Sequence, residues 1–239
     1  MKTALITGAS GGIGAAIAAR LAQEGYLPVL HYCAHGKGMD ETAAALGGFA
    51  VQADLGDPAA IEAMAEAVLS RTGRLDVLIN NAAISLSGLL TDITPAQRRR
   101  LFDVNVLGTI ECARAFLPQM IRQKNGCIIN ISSMWGQVGA SCEVDYSASK
   151  AAVIGFTKAL AQEVAPSGIR VNCIAPGVIR TPMLDCYDAD TLRALAEETP
   201  LGKLGTPEDI AAAAAFLCHY SADFITGQVL GVNGGFVMN

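Results

Sequence analysis

Long apolar runs are missing from this chain of 239 residues: nowhere does it hold the ~20 consecutive apolar residues that a bilayer-spanning helix needs. No membrane partner is therefore expected. Dense basic tracts are missing too. Arg98-Arg99-Arg100 is the one basic run, and the net charge of −5 argues against a general nucleic-acid binder. That run suits the solvated face of a helix or the docking of an acidic partner. The cysteines, at 33, 112, 127, 142, 173, 186 and 218, are odd in number and show no CxxC spacing. This speaks against a disulfide framework or a zinc site, and for reduced, mostly buried thiols. No metal is expected. Signal-peptide architecture is lacking as well, because Met1-Lys2-Thr3-Ala4-Leu5-Ile6 runs straight into a strand-like segment. The expected compartment is the cytosol. No linker, repeat or compositional shift divides the chain, so one domain over residues 1–239 is expected.

What is present is a regular alternation. Apolar runs of strand length at 3–7, 27–32, 49–52, 75–80, 126–131, 169–174 and 227–232 alternate with Ala-rich stretches of helical period. Those stretches cover 13–24, 58–70, 97–123, 146–164 and 207–218, with shorter ones near 40–46 and 188–198. The alternation predicts an α/β fold: a doubly wound, seven-stranded parallel sheet with helices on both faces. Continuous hydrophobicity in Val77-Leu78-Ile79 and Cys127-Ile128-Ile129 agrees with strands covered on both sides.

The chemistry-bearing residues fall at the ends of these strands. The first strand closes in Thr7-Gly8-Ala9-Ser10-Gly11-Gly12-Ile13-Gly14, and a helix follows at once. Such glycines let the backbone turn tightly and approach a pyrophosphate at a helix N-terminus, although a tight turn without nucleotide would look similar. After the second strand comes His31-Tyr32-Cys33-Ala34-His35-Gly36-Lys37, and the first acid is Asp40. A carboxylate at this place would bind ribose hydroxyls; without one, a 2′-phosphate meets no repulsion, and His35 or Lys37 could pair with it. NADP is thus favoured over NAD, with Tyr32, His31 and His35 also serviceable as plain loop residues. Asp54-Leu55 follows the third strand, where a side chain can bond the adenine amino group; Asp57-Pro58 suits the helix start better. Asn80-Asn81-Ala82-Ala83 and Asn130-Ile131-Ser132-Ser133 end the fourth and fifth strands, at the edge where ligands bind.

Asn105 is a polar residue inside an otherwise apolar helical stretch, either a buried hydrogen-bonded amide or a holder of water. Tyr146 and Lys150 stand four apart, one helical turn, on a common face. A phenol ionises near pH ~10, and a neighbouring ammonium favours the phenolate, making the Tyr a better proton-transfer group. Asp145 beside it would oppose this if its carboxylate came close; divergence of neighbours at the junction points it away. Ser133 could donate to a carbonyl oxygen as charge develops there.

Taken together, these motifs resemble the classical short-chain dehydrogenase/reductases over essentially the whole chain. Thr7-Gly8-x3-Gly12-Ile13-Gly14 matches that family's cofactor motif, Asp54-Leu55 its adenine motif, and Asn80-Asn81-Ala82 its fourth-strand ending. Asn105, Ser133, Tyr146 and Lys150 fall on its catalytic tetrad. Pro176-Gly177, with Ile179 and Thr181, matches the turn that holds the nicotinamide side. The resemblance implies cofactor contacts at Gly8, Ser10, Gly12, Ile13, Gly14, Tyr32, Asp54, Leu55, Asn81, Ala82, Tyr146, Lys150, Pro176, Gly177, Ile179 and Thr181. It also implies hydride transfer to a keto carbon, protonation by Tyr146, and a homotetramer. Leu204 to Ile210 and Ile225 to Gly235 look most like the 3-oxoacyl-[acyl-carrier-protein] reductases, which implies NADPH and a carrier-bound 3-oxoacyl thioester in fatty-acid or polyketide-like biosynthesis. Polyol, sugar and hydroxyacyl-CoA dehydrogenases share many of these features. A nucleotide-sensing protein without catalysis fits less well beside an intact Ser133, Tyr146 and Lys150.

Some positions depart from the pattern. Ala83 replaces a usual Gly; Gly11 and Cys33 stand where many NADP-dependent members carry Arg. Lys124 matches a carrier-docking basic residue, whereas Ser167 occupies the second such place. Residues 179–200, with Met183, Leu184, Tyr187, Leu192 and Leu195 as an apolar stripe, read as a lid over substrate or as a surface helix.

Overall fold

The computed structural model describes residues 1–34, 36–184 and 188–238. Strands β1 (Thr3–Ile6), β2 (Leu27–Tyr32), β3 (Phe49–Gln52), β4 (Val77–Asn80), β5 (Gly126–Ile131), β6 (Ile169–Pro176) and β7 (Val229–Val232) form one sheet in the order β3-β2-β1-β4-β5-β6-β7. Every pairing is parallel. The chain winds outward from β1 to β3, then returns to β4 beside β1. The carboxyl ends of β1 and β4 therefore flank the switch point, where an open parallel sheet offers a crevice.

Successive strand residues feed two separate cores, as the pleat requires. Ile6, Ile79 and Ile129 pack on the side of α1 (Gly12–Gln23) and α9 (Pro207–Cys218), with Ile17, Leu21 and Ile210. Leu5, Leu78 and Ile128 pack on the other side, with Ile61 and Val68 of α3 (Pro58–Thr72), Phe116 of α5 (Gly108–Gln123) and Val164 of α7 (Val144–Val164). Each such fully buried side chain contributes roughly 1.5–3 kcal/mol of transfer free energy. Cys112, Cys127, Cys173 and Cys218 belong to this buried set, while Cys33 and Cys142 are exposed and Cys186 lies outside the described residues.

Local chemistry sets the helix starts. Asp57 Oδ1 accepts from Ala59 N at 3.0 Å ahead of Pro58, so Asp57 caps α3. Thr206 and Asp209 form a capping box ahead of α9, and Thr94 and Gln97 another ahead of α4 (Pro95–Phe102). The sequence predicts one helix over 97–123, and the structure corrects this. The path begins at Pro95, widens into a π turn over Asp103–Leu107, and resumes as α5. A π turn is a local defect that often marks a functional position, and this one carries Asn105. The short helices α2 (Met39–Ala45), α6 (Trp135–Val138) and α8 (Ala189–Glu198) complete the set. Among the described residues no helix is long and apolar enough to cross a membrane.

Candidate active site

Residues that the sequence scatters over 170 positions meet along the carboxyl edge of the sheet. At the switch point, Thr7 Oγ1 accepts from Asn81 N at 2.9 Å and Ala82 N at 3.0 Å, and Asn81 Nδ2 donates to Thr7 O at 2.9 Å and Gly8 O at 3.1 Å. This ties β1 to β4 and fixes the glycine turn beside them. Gly8 has φ +66, and a Cβ built on it would lie 2.8 Å from Ala82 Cα. A Cβ on Gly14 would lie 2.3 Å from Gly8 O. Only glycine fits either place, so the backbone here approaches neighbours as closely as a pyrophosphate-binding turn requires. The cap residue Gly11 offers α1 no side-chain acceptor, leaving the first-turn amides for an anion. Ser10 is exposed and Ile13 half-buried on the same turn.

Tyr32 stands half-buried at the end of β2, with His35 outside the described residues. At the end of β3, Asp54 Oδ1 accepts from Gly56 N at 2.8 Å and from Arg100 Nη2 at 2.8 Å. Arg100 holds the Asp54 carboxyl below its ordinary range. Leu55 is buried behind it. Pro176 ends β6, Gly177 N donates to Val232 O at 3.0 Å, and Ile179 is buried against Gly205. Thr181 then comes back over the glycine turn, its Cγ2 3.3 Å from where a Gly12 Cβ would stand. These groups fit a dinucleotide laid across the strand ends: a glycine cradle, a free helix start and a turn closing over both.

Ser133, Tyr146 and Lys150 gather beside this crevice. Lys150 is 3% exposed, its Nζ donates to Ile131 O at 2.9 Å, and it lies 5.7 Å from the centroid of the Tyr146 ring. Burial pushes its pKa down to about 8, so it stays mostly protonated at pH 7. The Tyr146 phenol is pushed up to about 12, by burial first and the Glu143 carboxylate second, with Ser133 pulling the other way. Lys150 was expected to favour the phenolate. In this structure desolvation wins, and the proton stays on Tyr146.

Asn105 is buried at 1% exposure, its Oδ1 accepting from Ile84 N at 2.8 Å and its Nδ2 donating to Ile84 O at 2.9 Å and Ser149 Oγ at 3.2 Å. Ser149 Oγ in turn donates to Tyr146 O at 2.7 Å. Asn105 thus pins the segment after β4 to the turn of α7 that carries Tyr146.

Two contacts show what residue patterns alone left open. Two arginines of the basic run are paired within the chain, Arg98 Nε donating to Asp145 Oδ1 at 2.8 Å and Arg100 reaching Asp54, while Arg99 is exposed. One helix, α4, therefore grips both the segment after β3 and the start of α7. Asp145 points away from Tyr146 as expected, toward α4, and its Oδ2 is buried without a partner. Gly136, unremarked in the sequence, is where α6 crosses α7: a Cβ there would lie 2.7 Å from the Lys150 carbonyl carbon. A lone Gly in a loop gives no sign of such a crossing.

Known proteins agree with the fold. A family model described as enoyl-(acyl carrier protein) reductase matches residues 8–237. An "Uncharacterized oxidoreductase YmfI" of Bacillus subtilis (strain 168) is 43% identical over 238 residues, covering 98% of either chain. The "3-oxoacyl-[acyl-carrier-protein] reductase FabG" of Staphylococcus aureus (strain MW2) is 40% identical over 242 residues, 99% of this chain and 98% of the relative. The protein of the same name from Vibrio cholerae serotype O1 is 38% identical over 239 residues, 99% and 98%. Similarity that runs from the glycine turn to the last strand, on an all-parallel seven-stranded sheet, means that this chain belongs to the short-chain dehydrogenase/reductase family and is an NAD(P)-dependent oxidoreductase.

Proposed function

We propose that the chain, as one domain over residues 1–239, uses NADPH to reduce a 3-oxoacyl thioester borne by an acyl carrier protein to the 3-hydroxyacyl thioester. The observation that carries this reading is the cluster at the strand edge, where Lys150 Nζ lies 5.7 Å from the centroid of the Tyr146 ring with Ser133 beside it, in surroundings whose burial favours the protonated phenol. A protonated phenol is the form that donates to an oxygen gaining negative charge. The nicotinamide, when bound, supplies the hydride. Tyr146 gives its proton to the substrate oxygen, and Ser133 hydrogen-bonds that oxygen and sets its position. Lys150 would hold the ribose hydroxyls on the nicotinamide side, and Asn105, which keeps α7 in register, would anchor a water of the proton relay.

The missing acid after β2 supports NADP over NAD. The names of the Staphylococcus and Vibrio relatives support the thioester. Lys124, exposed at the end of α5, suits a carrier protein, though Ser167 offers no second cation. Residues 179–200 are the lid: Leu192 and Leu195 of α8 are half-buried, the Met183 side chain and Tyr187 falling outside the described residues. A homotetramer in the cytosol completes the proposal, and light scattering tests its size.

A second reading has one specific support. Glu143 is half-buried next to Tyr146, and burial holds its carboxyl above the ordinary range. A carboxyl there receives hydrogen bonds from hydroxyl or ammonium groups, which favours a polyol, a sugar or an amino-substituted ketone over a plain acyl chain. Initial rates on acetoacetyl thioesters, polyols and amino-ketones, each with NADPH and NADH, separate the readings. The first expects the thioester with NADPH to lead in kcat/KM by about tenfold or more. Turnover of the other classes without any on thioesters would refute it.

A further inference from the structure

His31 belongs to neither the catalytic group nor the phosphate pocket, yet it is 2% exposed and every polar atom it carries toward the glycine turn is in use. Its main-chain oxygen accepts from Ala9 N at 2.8 Å, and its ring Nδ1 accepts from Gly8 N at 3.1 Å. Its Nε2 meets Ala53 O at 3.0 Å, at the end of β3. These partners fix the proton. Gly8 N–H can only donate and Ala53 O can only accept, so Nδ1 is bare and Nε2 carries the hydrogen. The imidazole in this structure is neutral. The ring ties the Gly8 amide to Ala53 O at the end of β3, while the His31 main-chain oxygen holds the next amide of the turn, Ala9 N.

We propose that His31 is a positioning residue for the dinucleotide turn and that its protonation frees Gly8, so that the protein loosens its hold on cofactor in acid. The inference rests on residues 8–14 being the pyrophosphate turn. A proton added at Nδ1 would face the Gly8 N–H, turning an attractive contact into a repulsive one. The released turn then has to be ordered again on binding, which costs affinity. Burial holds the ring neutral below its usual pKa of 6.5, and the Asp54 carboxylate across the end of β3 works against it. That carboxylate is itself held by Arg100. β1, β3 and the first turn of α1 bring no charged side chain to the ring.

Binding of NADP⁺ measured by calorimetry from pH 8 downward provides the test, on the wild-type protein and on His31→Asn and His31→Gln. Asn can still accept from Gly8 N but does not titrate. Gln reaches Ala53 O and cannot serve Gly8. Affinities are normalised to pH 8, so that titration of the cofactor phosphate cancels between proteins. The wild-type Kd should rise below the pKa of His31, approaching about tenfold per pH unit for one coupled proton, and His31→Asn should lack that component. His31→Gln should bind weakly at every pH. NMR titration of the His31 ring in the wild-type protein is the control that needs no variant: NADP⁺ should lower its pKa further. Equal pH dependence in the wild-type protein and His31→Asn, or a ring pKa indifferent to NADP⁺, overturns the inference. Absence of NADP⁺ binding even at pH 8 overturns the dinucleotide reading beneath it.

Discussion

Gly136→Ala adds one methyl group where α6 crosses α7. Its Cβ would stand 2.7 Å from the Lys150 carbonyl carbon, 2.8 Å from Ser132 Oγ and 2.9 Å from Lys150 Cβ, against an ordinary lower limit of 3.4 Å. The two helices must therefore part by about 0.7 Å (3.4 minus 2.7), and neither side is a flexible side-chain tip. Ser132 Oγ also donates to Lys150 O at 2.8 Å, so the strain falls on the link between the two catalytic segments. Overpacking of this kind costs about 1–3 kcal/mol, which for a chain this size lowers Tm by roughly 2–12 °C. A misplacement approaching 1 Å between Ser133 and Tyr146 costs up to about 10²-fold in rate. The expected result is kcat lowered roughly ten- to a hundredfold, with NADPH affinity lowered by less, because the glycine turn lies elsewhere and only the contact at Lys150 is disturbed. Stopped-flow turnover, NADPH titration and a thermal melt read the three quantities. Gly155→Ala, on the same α7 with nothing within 4 Å of its Cβ, is the control and should stabilise by about 0.5–1 kcal/mol. Wild-type kcat and Tm in Gly136→Ala would refute the packing argument.

Tyr146→Phe should lower turnover by the ~10²–10⁴ usual for a positioned acid while NADPH still binds; retention of more than about a tenth of the rate would remove Tyr146 from its role. Lys150→Met should kill turnover and yet raise the melting temperature at pH 7. The folded pKa of Lys150, about 8, lies below its ordinary 10.5, so folding at pH 7 includes the whole cost of burying the ammonium. Between these values the unfolded chain holds more protons, and stability from this group rises with pH. The gain at pH 7, about 1–3 kcal/mol after the lost bond to Ile131 O is deducted, should fade toward pH 10; a gap unchanged with pH would count against it. Arg98→Gln leaves the Asp145 carboxylate at the start of α7 with neither oxygen paired. Its kcat should fall more than its cofactor affinity, and Asp145→Asn added to it should recover activity; a double variant no better than the single would refute the clasp.

Much of this was legible in the residues because strands in a doubly wound sheet carry their signals locally. Val77-Leu78-Ile79 announces burial on both faces by composition alone, and the glycines from Gly8 to Gly14 announce a tight turn, glycine being required at Gly8 and Gly14. The Tyr146–Lys150 pair follows from helical period. Less local features were misjudged. The stretch at 97–123 shows unbroken helical character, and the π turn that breaks it carries Asn105, whose partner Ile84 lies 21 positions away. The arginine run showed its charge but not its partners, since Asp54 and Asp145 lie 46 and 47 positions from their arginines.

Residue type and short spacing were enough to set the layering of the fold and the order of its motifs, and the family those motifs resemble implied the class of chemistry. Tertiary structure alone decided the protonation of the site. Whether Tyr146 keeps its proton, Lys150 holds its charge weakly or His31 stays neutral depends on how much water is excluded and which dipoles converge, and these are set by chain segments that meet only in the folded sheet.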